Sequence, residues 1–150
     1  MQSNLQEAFV IHTRPYKETS LIVTFLCRKA GKINAVAKGA KRKKSKFSGY
    51  LEPFQLLNID FRGRSDLKTL YLAEATEPYQ DFFCKESLYS AFYINELMNF
   101  LLVQSEESNE LFKFYKKCIE ELKIKENVEP ILRNFELDIL KNLGYQIDFF

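Results

Sequence analysis

Phe54-Gln-Leu-Leu-Asn-Ile-Asp-Phe-Arg-Gly-Arg-Ser-Asp-Leu-Lys-Thr-Leu-Tyr-Leu-Ala-Glu-Ala-Thr-Glu-Pro78 reads as a β-hairpin followed by a change of period. In residues 54–62, Leu57, Ile59 and Phe61 alternate with polar neighbours, the signature of a half-buried strand. In residues 67–77, Leu70 and Leu72 alternate against Tyr71, Ala73 and Ala75. Gly63-Arg64-Ser65-Asp66 separates the two runs as a hairpin loop. Upstream, residues 7–13 are rich in Phe, Val and Ile, and residues 20–27 carry Leu21, Val23 and Phe25 on one face. Residues 33–38 form a short apolar run flanked by Gly31 and Gly39. Five short strands in under eighty residues predict a small barrel, because closure removes exposed edges.

Beyond Pro78 the apolar spacing becomes helical. Residues 87–104 place Tyr89, Tyr93, Leu97 and Leu101 on one line, with Leu88, Phe92 and Met98 beside it. Apolar most of the way round, this helix is expected to be central. Residues 109–123 show a stripe of Leu111, Tyr115, Cys118 and Leu122 with Lys and Glu opposite. Residues 130–143 open on Pro130, end at Gly144, and carry Ile131, Phe135, Ile139 and Leu143. The expected class is α+β, with a five-stranded barrel over residues 1–80 and an all-α region over 81–150.

Between the third and fourth strands lies the most highly charged stretch, Val36-Ala-Lys-Gly-Ala-Lys-Arg-Lys-Lys-Ser-Lys-Phe-Ser-Gly-Tyr50. Residues 38–46 hold Lys38, Lys41, Arg42, Lys43, Lys44 and Lys46 and no acid. Such a run is solvated or held against an anion, since burying it unpaired costs too much. Gly39 and Gly49 bracket it as a loop tethered at both ends. Residues 1–68 carry 14 Lys/Arg against five Asp/Glu, and residues 69–150 carry eight against 15. A net of +9 opposed to −7 predicts an anionic polymer as partner of the first half and a different partner for the second.

At 46% hydrophobic and 15% aromatic the chain can bury a core and is no disordered basic tail. Cys27, Cys84 and Cys118 are scattered and form no CxxC pair, as expected of reduced thiols. A lone His12 without a Cys or carboxylate cluster gives no support to a metal site. The first seven residues are polar and no apolar stretch approaches a membrane span, so the expectation is a soluble, cytoplasmic protein without membrane contact.

Catalytic constellations are missing. There is no GxxxxGK[ST] loop and no GxGxxG, so nothing supports nucleotide hydrolysis, dinucleotide binding or any other cofactor. Asp60, Asp66, Glu74 and Glu77 could hold a nuclease metal ion, against which stands the place of Asp60 and Glu74 in alternating strands, where outward carboxylates are ordinary. The expectation is a binding protein with no catalytic residue. Besides the loop, Arg14, Lys17, Arg28, Lys29, Lys32, Arg62, Arg64 and Lys68 lie along the barrel half. In barrels of the oligonucleotide-binding type (the OB-fold), cations track the backbone and aromatics stack on unpaired bases. Tyr50 and Phe47 are the better stacking candidates; Phe25 has a core pattern, and Tyr71 is a fourth aromatic considered. The residues read as nucleic-acid-binding are Arg14, Lys17, Lys38, Lys41, Arg42, Lys43, Lys44, Lys46, Tyr50, Arg62 and Arg64.

Three blocks carry a family resemblance: Phe9-Val-Ile-His-Thr-Arg-Pro-Tyr-Lys-Glu-Thr-Ser20, Val36-Ala-Lys-Gly-Ala-Lys-Arg42 and Gly49-Tyr-Leu-Glu-Pro-Phe54. They resemble the N-terminal barrel of the bacterial RecO family. Leu88-Tyr-Ser-Ala-Phe-Tyr-Ile-Asn-Glu-Leu97 and Leu132-Arg-Asn-Phe-Glu-Leu-Asp-Ile-Leu-Lys-Asn-Leu-Gly-Tyr145 resemble the helical region that follows it. The resemblance implies a non-enzymatic DNA repair and recombination mediator, associated with the nucleoid. Such a protein binds single- and double-stranded DNA, anneals complementary strands, and acts with RecR and the single-strand-binding protein to load RecA. Phosphates do not reveal the sugar, so an RNA-binding barrel with a helical protein-interaction module is the competing reading.

RecO proteins continue past the Leu-Gly-Tyr block with further helical segments, some with a cysteine zinc site. The resemblance therefore implies an incomplete helical part, and Ile147-Asp-Phe-Phe150 is expected to leave aromatic surface uncovered. The single-strand-binding protein's acidic tail needs an apolar pocket with a bidentate carboxylate partner. Arg133, the only arginine after Arg64, is the residue assigned to it, against an ordinary surface arginine paired with Glu129 or Glu136. Asn95 and Glu96, polar on an apolar helix, are expected to satisfy buried backbone or tyrosine groups.

Overall fold

The computed structural model describes residues 5–102 and 109–144. Gln104, Tyr145 and residues 147–150, which carry expectations above, lie outside them. Five strands, β1 (Gln6–Tyr16), β2 (Ser20–Cys27), β3 (Gly31–Ala37), β4 (Leu56–Arg62) and β5 (Leu67–Ala75), close into a barrel in the order β1-β2-β3-β5-β4. All neighbours are antiparallel except β3 and β5. Helices α1 (Lys85–Leu101), α2 (Asn109–Ile124) and α3 (Glu129–Asn142) follow. The OB-type barrel and the helical region are thus as the sequence predicts. None of the described helices is long and apolar enough to cross a membrane.

The barrel interior is built from the alternating residues Val23, Phe25 and Cys27 of β2, Ile33, Ala35 and Ala37 of β3, and Leu57 and Ile59 of β4. Two bulges interrupt the alternation. In β1, Val10 pairs with Phe25 and His12 with Thr24, leaving Ile11 as the extra residue. Val10 therefore points into the barrel, while Ile11 joins Phe9 and Leu26 in a second apolar cluster beneath the helices. In β5, Asp60 pairs with Leu72 and Phe61 with Leu70, which skips Tyr71. The interior residues become Leu70 and Ala73, where strict alternation predicts Leu70 and Leu72, and Tyr71 stands exposed.

The second cluster joins Phe9, Ile11, Leu26 and Phe54 to all three helices. On α2 the stripe Leu111, Tyr115, Cys118 and Leu122 is buried as expected, and α3 buries Ile131, Phe135 and Ile139. Burial pushes the Cys118 thiol up to about 12, aided by Glu121 and Asp138, so it stays protonated at neutral pH. The reading of α1 needs correction. Its buried face is Ser87, Ser90, Ala91, Ile94, Asn95 and Met98, while Tyr89 and Phe100 are 69% and 87% exposed, with Phe92 and Tyr93 also outside. Small residues let α1 approach a layer already filled by the rings of Phe9, Phe112 and Tyr115, the Phe9 centroid lying 5.5 Å from that of Phe112 and 5.0 Å from that of Tyr115. The aromatic line has no room there. Asn95 behaves as expected, accepting a hydrogen bond from the buried Tyr115 hydroxyl, whereas Glu96 is exposed.

Candidate nucleic-acid interface

Strand direction fixes which loops share an end of the barrel. The β1–β2 turn and the β3–β4 connection lie at one end, and the β2–β3 turn and β4–β5 hairpin lie at the other. The connection between Ala37 and Leu56 folds as successive tight turns. Backbone N–H groups of Ala40, Arg42, Ser45, Ser48 and Tyr50 each donate to the carbonyl three residues back, at 3.0–3.3 Å. Gly39 and Gly49 adopt φ of 71° and 80°, the left-handed geometry that glycine reaches without a Cβ clash.

Three attachments hold these turns to the barrel. The Lys41 N–H donates to the Thr19 carbonyl at 2.9 Å, fastening the connection to the β1–β2 turn. Phe47 inserts into the barrel interior and is only 3% exposed. Pro53 bridges Val10 of β1. A basic run cannot fold on its own charges, so the buried ring and the backbone tethers order it. Phe47 is therefore a core residue, which corrects its reading as a stacking platform: the ring is the plug that holds the loop down.

Lys38, Lys41, Arg42, Lys43, Lys44 and Lys46 are all exposed, and among the described residues none is in an ion pair. Lys17, at the tip of the β1–β2 turn, joins them at this end, and Arg14 is exposed on the same strand. Tyr50 is 39% exposed within the connection, as a stacking residue requires. Seven loop and turn cations, with Arg14 and Tyr50, thus gather at one end. Arg62 and Arg64 stand apart at the opposite end. There Arg62 lies over the Tyr71 ring at 4.7 Å and pairs with Asp60 at 3.4 Å.

Other cations along the barrel half, outside that set, are engaged elsewhere. Arg28 pairs with Glu7 at 3.0 Å and lies over the Phe112 ring. The Lys32 ammonium donates to the carbonyls of Asn99 and Leu102 at 2.7 and 3.0 Å, meeting the negative end of α1, and burial lowers its pKa. On the same outer face, Ile22, Thr24, Leu26 and Val36 are buried. The β2–β3 face that oligonucleotide-binding barrels commonly use is thus covered here, and the exposed cations concentrate at the barrel end instead. A further cation, Lys123 of α2, donates to the Phe54 carbonyl at 3.0 Å and had no signal in the sequence.

Among the described residues no three His, Cys, Asp or Glu side chains converge as a metal site would require. Arg133 is exposed on α3, its guanidinium shared between Glu129 at 3.8 Å and Glu136 at 3.7 Å. A small recess between α2 and α3, lined by Phe114, Ile131 and Phe135 with Lys117, Glu121 and Asp138, opens on a different face of α3 and does not include Arg133.

Comparison with known proteins agrees with this architecture. Residues 1–79 match the family model for the recombination protein O N terminal region, and residues 86–150 match that for its C terminal region. DNA repair protein RecO of Haemophilus influenzae (strain 86-028NP) is 43% identical over 99% of this chain and 63% of its own length. That of Idiomarina loihiensis is 43% identical over 96% of this chain and 62% of its own. That of Enterobacter sp. (strain 638) is 42% identical over 96% and 61%. The chain therefore spans somewhat less than two thirds of the relatives it matches. With both family regions present in order, on a closed five-stranded barrel followed by helices, the chain belongs to the recombination protein O family.

Proposed function

We propose that this protein is a non-enzymatic DNA repair and recombination mediator whose barrel end binds single- and double-stranded DNA. The observation that carries the reading is the set of six exposed cations at 38–46, free of ion pairs among the described residues and held on an ordered scaffold. Each phosphate neutralised releases condensed counterions, so an ordered cationic loop gains affinity without reading sequence. Arg14, Lys17 and Tyr50 extend this surface, and Arg62 and Arg64 offer a second contact at the far end. Two separated contacts suit a protein that brings complementary strands together for annealing. Action with RecR, and loading of RecA onto DNA covered by single-strand-binding protein, complete the reading.

The direct test competes labelled single-stranded DNA against RNA of the same sequence. Preference for DNA supports the mediator, and preference for RNA supports the RNA-binding alternative. Reproducible cleavage of clean DNA with Mg²⁺ or Mn²⁺ would contradict a non-enzymatic role.

In the helical region we propose that Arg133 contacts the terminal carboxylate of the single-strand-binding protein's acidic tail. Glu129 and Glu136 already share the guanidinium, so a tail must compete with them. Arg133→Ala is expected to weaken a labelled tail peptide by about 1 kcal/mol, roughly fivefold, while DNA binding stays unchanged. Arg133→Lys recovers only part, keeping the charge but losing the planar fork. Equal peptide affinity in all three proteins would make Arg133 an ordinary surface residue.

A further inference from the structure

The basic connection rejoins the barrel under constraint. Phe54, just before β4, is buried with φ of 69°, a left-handed conformation in a residue that carries a Cβ. Such a residue persists only where its surroundings over-determine it. Here the helical region supplies that determination. The Phe54 ring meets Phe82 and Phe92 edge-on, with centroids at 5.1 and 5.0 Å. Its carbonyl accepts a hydrogen bond from the Lys123 ammonium of α2 at 3.0 Å.

Lys123 is held among aromatic rings next to that carbonyl. Its ammonium lies 5.4 Å from the Tyr79 ring centre and 5.6 Å from that of Phe82. Burial lowers its pKa, while Glu120, Asp81 and Glu77 act in the opposite direction. Ring contacts with Phe82 and Phe92 hold the Phe54 side chain but do not bond its carbonyl, so what the ammonium adds is direction. It fixes where the carbonyl points, and with it the path of the chain leaving the turn series.

Resting on the DNA-binding reading above, we propose that Lys123 is a positioning residue for the basic loop. Without touching DNA itself, it grips the Phe54 carbonyl and so adds, beyond the Lys41, Phe47 and Pro53 attachments, a fourth constraint on where the cations of residues 38–46 stand. Helix α2 thereby controls the DNA affinity of a loop on the barrel, and any partner that moves α2 alters that affinity.

The test uses the whole chain with Lys123→Met, which keeps the aliphatic stem, and Lys123→Arg, which keeps a donor. Binding of labelled oligo-dT is titrated at several salt concentrations, beside thermal melts. Lys123→Met is expected to weaken binding roughly three- to tenfold, the scale of one lost charge-assisted hydrogen bond, and to lower the log–log salt slope. Lys123→Arg restores affinity to within about twofold, and the melting temperature moves little in either. A role confined to stability would shift the melt and leave affinity and slope of the folded protein alone.

Wild-type affinity and slope in Lys123→Met would overturn the proposal, as would an Arg variant as weak as the Met variant. Amide exchange over residues 41–50 without DNA reads the latch independently of the DNA-binding reading. Lys123→Met accelerates it if the latch positions the loop, and unchanged exchange overturns the latch even if DNA binds. If wild type fails to bind DNA, that reading falls while the exchange result still decides the latch. Should Lys123→Met not fold, Lys123→Gln, which retains a shorter N–H donor, takes its place in the same measurements.

Discussion

Alanine at Lys41, Arg42, Lys43 and Lys44 together is expected to lower affinity for single-stranded DNA by on the order of a hundred- to a thousandfold at low salt. The same change lowers the log–log salt slope by about three, since each lost single-strand phosphate contact removes roughly 0.7. All four side chains are exposed and free of ion pairs among the described residues, so no packing is lost. The melting temperature should move by only a few degrees. Strand annealing falls together with binding. A collapse of stability with intact DNA affinity would mean that these residues hold the barrel together.

Phe47→Ala is expected to have the largest effect on stability. Its ring is sealed in the barrel interior, so truncation removes apolar contacts and leaves a cavity, at a cost of about 3–5 kcal/mol. For a chain of this size that corresponds to a fall in melting temperature of roughly 10–15 °C. Phe47→Leu separates packing from stacking. Leucine keeps the plug apolar but has no ring, so DNA affinity of the folded variant should stay within about twofold of wild type. A stacked base would lose about 1–3 kcal/mol, and such a loss would return Phe47 to the interface.

These two expected outcomes correspond to the parts of the protein that were and were not legible in its sequence. The strands were legible because alternation such as Leu57, Ile59 and Phe61 is a local consequence of having one wet face and one dry face. The bulges at Ile11 and Tyr71 were not, since a bulge depends on the pairing partner. Basic residues 38–46 were legible as a solvated loop from charge alone. Phe47 was misread because its neighbours are charged, whereas its fate is decided by a barrel interior that needed filling.

Helix α1 shows the same limit. Its aromatics dominate the pattern, yet close packing selected the small face of Ser87, Ser90 and Ala91. The fastening lysines carried no signal at all. Lys32 and Lys123 resemble every other lysine in the sequence, and their carbonyl partners lie 67 to 70 positions away. Lys32 and Lys123 are thereby tied to backbone carbonyls, and the main candidate interface is the end of the barrel where the cations have no ion pair among the described residues.

Amide chemical shifts of the isotope-labelled chain, followed while oligo-dT is added, test that interface most directly. The largest changes are expected at residues 17–19 and 38–50, fading as salt is raised, with the outer face of β2 and β3 little affected. Unchanged loop amides beside strong shifts on α2 or α3 would contradict the account and place the DNA on the helical region.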